Sequence, residues 1–331
     1  MSNSEAPQEP SRVTESWQQT VQAVLAFAML AAAVAMVYFY APGPARGPSA
    51  DESQREDLQK EVHALSAQVS KLENEQATPA VVLSRYRNSI GYIYGVYQVG
   101  FRNQSPTIRA RVSGTGFLVG EGLLATNRHV AEPWYGDVEA EALMHRGATA
   151  MLESLVVFFP GSATPLSLAS GAVSTAQDLA VLRIQDKSAV RGMAILPIAK
   201  APATPGDLVT VVGYPMGIAG MVAKSPEGIY QRMAFRHNDI TAASELAALS
   251  LIRPSTTCGH LGDVVGDKLI YDAPTAHGGS GGPVFNSNAE VIGVNSAFID
   301  GFSGGTLGYS AQALITVIAD AKEKNAAQDD H

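Results

Sequence analysis

Cysteine is almost absent from this chain of 331 residues, in which Cys258 is the only one. An intrachain disulfide is therefore impossible, and this thiol with the nearby His260 offers too few ligands for a structural zinc site. We expect no bound metal and no cofactor. Basic residues are also fewer than acidic ones, 23 against 31, and the formal net charge is −8. This acidic balance argues against a general nucleic-acid-binding protein.

Charged residues are missing altogether from residues 21–40, which read VQAVLAFAMLAAAVAMVYFY. A helix of about twenty residues spans about 30 Å, which is the thickness of a bilayer hydrocarbon core. Trp17, Tyr38 and Tyr40 at the two ends fit the aromatic belts of a membrane interface. We predict a polar tail at 1–16 and a transmembrane helix at 17–40. A cleaved signal peptide and a buried helix are the alternatives, and the Lys/Arg bias does not decide the orientation.

Proline and glycine disappear between Asp51 and Gln76, directly after a Pro/Gly-rich linker at 41–50. Apolar residues recur in this stretch at alternating spacings of four and three, as a heptad seam requires. The seam residues are Leu58, Val62, Leu65, Val69 and Leu72. We predict a coiled coil at 51–76 that makes the chain a homo-oligomer, followed by a joint at 77–88. The alternative is an amphipathic helix that packs on its own catalytic domain.

Sustained strand–helix alternation is lacking from residue 89 onward, which argues against a doubly wound sheet. Short β-rich runs separated by Gly, Pro and Asp predict an all-β sandwich or barrel instead. The predicted strands are 92–99, 109–119, 123–126, 152–159, 179–184, 208–213, 268–271 and 291–297. Helices are predicted at 240–251 and at 311–324, the second with Ser310 as its N-cap. The domain is expected to cover 89–325, before a tail at 326–331.

Three side chains in this region form a candidate catalytic set. His129 follows the strand at 123–126, Asp178 opens the run DLAVLRI, and Ser280 lies between two pairs of glycines. A serine hydroxyl needs a base to become a nucleophile, and an imidazole suits that task because its pKa lies near working pH. A buried carboxylate then orients the imidazole. The order His, Asp, Ser differs from the orders in α/β-hydrolases and subtilisins.

Residues 89–320 resemble trypsin-like serine peptidases of the chymotrypsin fold, and are most similar to bacterial Deg/HtrA-type proteases. The resemblance rests on five motifs in order. They are TNRHV at 126–130, DLAVLRI at 178–184, GYPMG at 213–217, GGSGGPV at 278–284 and VIGVNSAF at 291–298. It implies two six-stranded Greek-key β-barrels with the active site in the cleft between them.

The resemblance also implies roles for individual residues. Ser280 would be the nucleophile, His129 the general base and acid, and Asp178 the residue that orients His129. The N–H groups of Gly278 and Ser280 would form the oxyanion hole.

A substrate pocket follows from the same resemblance. Pro274 would form its floor and admit a small or medium apolar side chain, with His277 at the rim and Ser296 nearby. An exposed loop histidine is the alternative for His277.

Two departures from the family pattern affect what we expect of the site. Gly279 stands where the family usually has Asn or Asp, which suggests an oxyanion loop that stays mobile until substrate or a partner orders it. Few residues follow the last predicted helix, so we expect no PDZ-like domain.

Together these features predict a membrane-anchored serine endopeptidase that acts through an acyl-enzyme on exported or misfolded proteins. It would reside in a bacterial inner membrane with the catalytic domain in the periplasm. The expected partners are protein or peptide substrates, the membrane and further copies of the chain, but no nucleic acid. An inactive protease-like scaffold that binds peptides or partners is one alternative, and an esterase is another.

Overall fold

The computed structural model describes residues 24, 27–36, 38–39, 48–234, 240–298 and 305–329. Internal contacts divide the chain into two units, residues 1–68 and residues 69–331. Within the predicted span 17–40, the described residues are helical and exposed, whereas 17–23, 25–26, 37 and 40 lie outside the described residues. So do the tail at 1–16 and residues 41–47 of the linker. No helix in the described part is both long and apolar enough to cross a membrane, so the structure does not support the predicted transmembrane helix.

The first long helix, α1 (Pro48–Tyr86), has 39 residues and contains the whole stretch that we predicted as a coiled coil. It also continues through the joint predicted at 77–88, so that boundary is wrong. Pro79 lies inside the helix and removes one backbone donor there. Packing compensates for this loss, because Thr78 and Val82 are only 3% and 0% exposed and helices in proteins are stabilised mainly by tertiary contacts.

Six antiparallel strands form the first barrel. They are β1 (Ile90–Gly100), β2 (Ile108–Gly120), β3 (Leu123–Thr126), β4 (Thr149–Phe158), β5 (Leu166–Val173) and β6 (Ala180–Ile184). The barrel closes in the order β1-β2-β3-β6-β5-β4. Apolar side chains such as Ile93, Leu124, Val157 and Leu182 fill its core. The runs of buried apolar residues at 123–126 and 180–184 explain why the sequence revealed these strands, while the mixed, partly exposed β5 was missed.

Six further strands form the second barrel. They are β7 (Leu208–Gly213), β8 (Ser255–Val265), β9 (Lys268–Tyr271), β10 (Pro283–Phe285), β11 (Val291–Phe298) and β12 (Thr306–Ser310). This barrel closes in the order β10-β11-β12-β9-β8-β7. The prediction of two six-stranded barrels is therefore confirmed. Three of these strands were missed, because β8 is largely exposed and rich in Gly and Thr, and β10 and β12 are too short to show a period.

Six helices in the described residues accompany the barrels. They are α2 (Arg128–Ala131), α3 (Val138–His145), α4 (Gly217–Ala223), α5 (Glu227–Met233), α6 (Ile240–Ala248) and α7 (Ala311–Asp329). The predictions at 240–251 and 311–324 correspond to α6 and α7. Ser310 is the N-cap expected for α7, since its hydroxyl accepts a hydrogen bond from Ala313 N at 3.3 Å. Because α7 packs on β5 and β6 of one barrel and on β11 and β12 of the other, it holds the two barrels together.

Candidate active site

His129 lies in the short helix α2, directly after β3. Its backbone N–H donates to Asp178 Oδ1 at 2.9 Å, and its ring Nδ1 lies 2.7 Å from Asp178 Oδ2. A carboxylate can only accept these bonds, so the ring carries a proton on Nδ1, and in the neutral imidazole Nε2 is then the free acceptor. The side chain of His129 is 36% exposed, while that of Asp178 is 12% exposed. This imidazole is therefore oriented by a sheltered carboxylate and is open to solvent on its other side.

Asp178 reaches His129 because of the register between β3 and β6. These strands pair Thr126 with Ala180, which brings the residues just before β6 beside the start of α2. Asn127 holds Asp178 in this position, because its Nδ2 donates to the Asp178 carbonyl at 2.8 Å. The sequence motif gave no role to Asn127, although it lies inside TNRHV.

The Asp178 carboxylate keeps its charge in spite of its burial. Burial by itself raises the pKa of this group, but hydrogen bonds from His129, its positive charge and a hydrogen bond from Ser296 outweigh burial and lower the pKa. Ser296 Oγ donates to Asp178 Oδ2 at 2.7 Å. Ser296, which we predicted in the substrate pocket, thus supports the carboxylate through a side chain that is itself buried.

Ser280 lies in the loop between β9 and β10, flanked by Gly278 and Gly281 with φ of 91° and 85°. Only glycine adopts such angles without strain. The Ser280 hydroxyl donates to the carbonyl of Ser296 at 2.8 Å, and within the described residues it makes no hydrogen bond to His129. The three predicted residues are therefore brought to one site, but the serine hydroxyl points to β11 and not to the imidazole.

The backbone N–H groups of Gly278 and Ser280, on either side of Gly279, have no acceptor among the residues that the structure describes. The carbonyl of His277 accepts a hydrogen bond from Met216 N at 2.6 Å. Because a trans peptide directs its N–H away from its C=O, the Gly278 N–H points away from Met216. Two unpaired donors beside a serine hydroxyl are the arrangement that stabilises an oxyanion.

Neighbouring strands hold the loop through residues that sequence reasoning missed. Thr115 Oγ1 donates to the Gly278 carbonyl and Asn295 Nδ2 to the Gly279 carbonyl, each at 2.8 Å. A Cβ on Gly279 would overlap the hydroxyl of Thr275. The structure therefore gives a steric reason for glycine at 279, and the mobility that we hypothesised for this loop stays a prediction. Asn295 lies within the motif VIGVNSAF, and this position was the one signal that could have found it, whereas Thr115 lies in β2 outside the five motifs.

The remaining predicted pocket residues lie at the surface. Pro274 is exposed, and its carbonyl accepts a hydrogen bond from Thr257 Oγ1 at 2.8 Å, so it does not form a buried floor. His277 is exposed on the loop, in line with the alternative that we stated. Residues 299–304, which follow β11 in the sequence, lie outside the described residues.

A cavity of about 620 Å³ adjoins His129 and Asp178. Its other walls include Tyr97, Arg111, Tyr135 and Tyr309. Burial and the nearby Asp178 charge raise the pKa of Tyr309, so its hydroxyl stays neutral. The cavity is large enough for a few residues of an extended peptide and leads to the imidazole.

Two closed barrels, with a hydrogen-bonded His–Asp pair and a glycine-flanked serine between them, define the chymotrypsin-type class of fold and site. A trypsin-like peptidase domain model matches residues 114–294, more than half of the chain. The chain therefore belongs to the trypsin-like peptidase domain family, as the sequence motifs predicted.

Two curated relatives show Deg/HtrA-type likeness. A probable periplasmic serine endoprotease, DegP-like, from Rhizobium meliloti (strain 1021) is 28% identical over 64% of this chain and 33% of its own length. Serine protease PepD from Mycobacterium tuberculosis is 30% identical over 57% of this chain and 34% of its own length. The chain thus spans about a third of the length of the relatives it matches.

One solved structure, a serine endoprotease from Yersinia pestis, is 16% identical with a TM-score of 0.47. The match covers 74% of this chain and 66% of that chain. The fold described above rests on the strand pairings of this chain alone.

Proposed function

We propose that the chain is a serine endopeptidase in which Ser280 is the nucleophile, His129 the general base and acid, and Asp178 the residue that orients His129. The observation that carries the proposal is the 2.7 Å contact between His129 Nδ1 and Asp178 Oδ2, which leaves Nε2 free to take a proton. Family membership and the two unpaired N–H groups at Gly278 and Ser280 support it.

The reaction follows from these groups. His129 Nε2 takes the proton of the Ser280 hydroxyl as Oγ attacks the scissile carbonyl, and the new oxyanion accepts hydrogen bonds from Gly278 N and Ser280 N. When the tetrahedral intermediate collapses, His129 gives its proton to the leaving amine, and an acyl-enzyme remains. Water, activated by the same imidazole, then hydrolyses the ester and releases Ser280.

The resting hydrogen bond from Ser280 to the Ser296 carbonyl favours a second candidate, a latent protease-like scaffold. In that state the hydroxyl donates its hydrogen bond to a carbonyl, which is too weak a base to remove the proton, and His129 cannot activate the nucleophile. A rotamer change of Ser280 would release its hydroxyl from this carbonyl, and rotamer changes of this kind are fast. We therefore favour the enzyme.

Labelling of the full chain with a fluorophosphonate probe tests the nucleophile. We expect covalent labelling of the wild-type chain and none of Ser280→Ala, with Ser287→Ala as a matched serine control that still labels. Failure of the wild-type chain to label under any condition would favour the scaffold. Cleavage of a peptide library, compared with acetyl esters, then distinguishes an endopeptidase from an esterase.

Exported or misfolded proteins are the proposed substrates, and the periplasm is the proposed compartment. The Rhizobium relative, a probable periplasmic serine endoprotease, supports the compartment. The uncharged apolar run at 21–40 supports an anchor in the inner membrane. Alkaline phosphatase fused to the C-terminus of the full chain is expected to be active, because it folds only after export. The proposal would be contradicted if the phosphatase fusion were inactive and a second fusion, with a cytoplasmic reporter in place of the phosphatase, were folded.

Self-association through the α1 seam is proposed as well. The five seam residues, Leu58 to Leu72, are 41–59% exposed in the single chain, which is unusual for regularly spaced apolar residues on one helix. Leu65→Asp is expected to dissociate the full-length oligomer in analytical ultracentrifugation, whereas Ser66→Asp, one position away on the same helix, is not. Equal sedimentation of both variants and the wild type would exclude the seam as the interface.

A further inference from the structure

A second cavity of about 620 Å³ lies in the unit formed by residues 69–331 and shares no residue with the catalytic site. Three chain segments line it: the C-terminal end of α1, the turn after β4, and the loop between α6 and β8. The residues that matter here are Leu83, Arg87, Pro160, Ile252, Arg253 and Pro254. A cavity of this size is within the range of small-ligand sites. We call it the arginine cavity.

The charge of the arginine cavity is entirely positive. Arg87 and Arg253 are its charged lining residues, and no Asp or Glu lines it. Neither guanidinium forms an ion pair with another described residue. Arg253 Nε donates to the Ser250 carbonyl at 3.2 Å, which fixes one edge of its guanidinium and leaves the other N–H groups available. In a chain whose net charge is −8, such an unpaired cationic pair is a site for an anion.

A third cation supports the loop that carries Arg253. Lys224 Nζ donates to the Arg253 carbonyl at 3.2 Å and to Ser255 Oγ at 2.7 Å. These bonds hold the Arg253 backbone and the Ser255 side chain, on either side of Pro254. The arginine cavity is therefore braced before any ligand enters, which lowers the entropic cost of binding.

Four apolar residues line the cavity beside Asn88, Gly161 and Ser250. Ile252 is 1% exposed, Leu83 is half-buried, and Pro160 and Pro254 supply rigid rings. A ligand that fits must therefore combine an anionic head with a compact apolar body. A guanidinium presents paired donors that match the two oxygens of a carboxylate, so a carboxylate suits this head.

We propose that the arginine cavity binds a carboxylate carried on a small apolar group, whether the terminal residue of a peptide or a short aliphatic acid. A bound carboxylate connects the end of α1 with the loop before β8. Next to this cavity, the ring of Tyr86 stacks on Phe285 of β10 at 5.9 Å, and Thr78 Oγ1 donates to the Ser287 carbonyl at 2.9 Å. The ligand thereby stabilises the packing of α1 on the strand that follows Ser280.

Isothermal titration calorimetry of the full chain tests this site without any reference to activity. The probes are N-acetyl-leucine and N-acetyl-leucinamide, which differ in the carboxylate alone, and hexanoate. We expect the amide to bind at least about tenfold more weakly than the acid, because it lacks the charge-assisted hydrogen bonds. Hexanoate that binds as tightly as N-acetyl-leucine identifies aliphatic acids as the source of the ligand, and tighter binding of N-acetyl-leucine identifies peptide ends.

Variants then locate the binding site. Arg87→Gln and Arg253→Gln are each expected to lower the affinity for N-acetyl-leucine at least about tenfold. Arg85→Gln is expected to leave this affinity unchanged, because Arg85 is an exposed residue on α1 outside the cavity lining. Circular dichroism confirms that each variant is folded, and exposed Arg→Gln changes are compatible with folding. Equal binding of acid and amide, an affinity insensitive to both variants, or equally tight binding of inorganic phosphate would overturn the proposal.

Discussion

Replacement of Ser296 by alanine removes one of the three hydrogen bonds that hold the Asp178 carboxylate. The other two come from the backbone and ring of His129 and are unchanged. A hydrogen bond to a charged group contributes about 1.5–3 kcal/mol. If this amount is lost when the imidazolium forms, the rate falls about ten- to a hundredfold, since about 1.4 kcal/mol corresponds to a factor of ten. We expect kcat to fall by this factor and KM to change little.

The same variant is expected to change the pH dependence of the stability in acid. The pKa of Asp178 is lowered in the folded chain, so its charged form stabilises the fold at every pH above the unfolded pKa of about 3.9, and this contribution is lost as the pH falls through the folded pKa. Ser296→Ala raises the folded pKa toward its ordinary value. The contribution is then smaller and is lost at a higher pH, so the midpoint of acid unfolding moves upward.

Steady-state hydrolysis of a peptide substrate and acid titration followed by circular dichroism measure the two effects. Ser89→Ala is the matched control, because Ser89 is 1% exposed and its hydroxyl makes no hydrogen bond to another described residue. Ser296→Ala with wild-type kcat and a wild-type acid midpoint would refute the role that we assign to this hydroxyl. A loss of activity with an unmoved midpoint would refute the link to the Asp178 pKa.

Three further changes test the surroundings of the site. Tyr86→Ala is expected to lower the free energy of unfolding by about 2 kcal/mol in urea titrations, since it removes the ring stacked on Phe285; a loss no greater than that of Arg85→Ala would contradict this. Gly279→Ala is expected to reduce fluorophosphonate labelling, and added Thr275→Ala to restore part of it because the overlapping hydroxyl is gone; no rescue would speak against the steric reason. Asp178→Asn is expected to lower kcat by about four orders of magnitude, because an amide favours the wrong imidazole tautomer; near-normal turnover would exclude the orienting role.

The sequence was sufficient to predict the two barrels and the three side chains of the candidate triad. Strands such as 123–126 and 208–213 are mostly apolar runs, and each triad residue lies in a recognisable motif. Strands without an apolar period, such as Ser255–Val265, could not be found in this way. The end of α1 was missed for a different reason: Pro79 indicates a break locally, but the burial of Val82 against the barrels is a tertiary contact that no local pattern encodes.

The residues that hold the site in place could not be predicted from the sequence either, because they act through contacts between segments that are distant along the chain. Asn295 and Ser296 are neighbours on β11, and together they contact three parts of the candidate site. Asn295 holds the Gly279 carbonyl, the Ser296 hydroxyl holds Asp178, and the Ser296 carbonyl holds the Ser280 hydroxyl. Side chains alternate along a strand, so two adjacent residues can serve opposite faces. A small shift of β11 would therefore affect the oxyanion loop, the carboxylate and the nucleophile at once, which makes this strand the element through which the resting site is coupled.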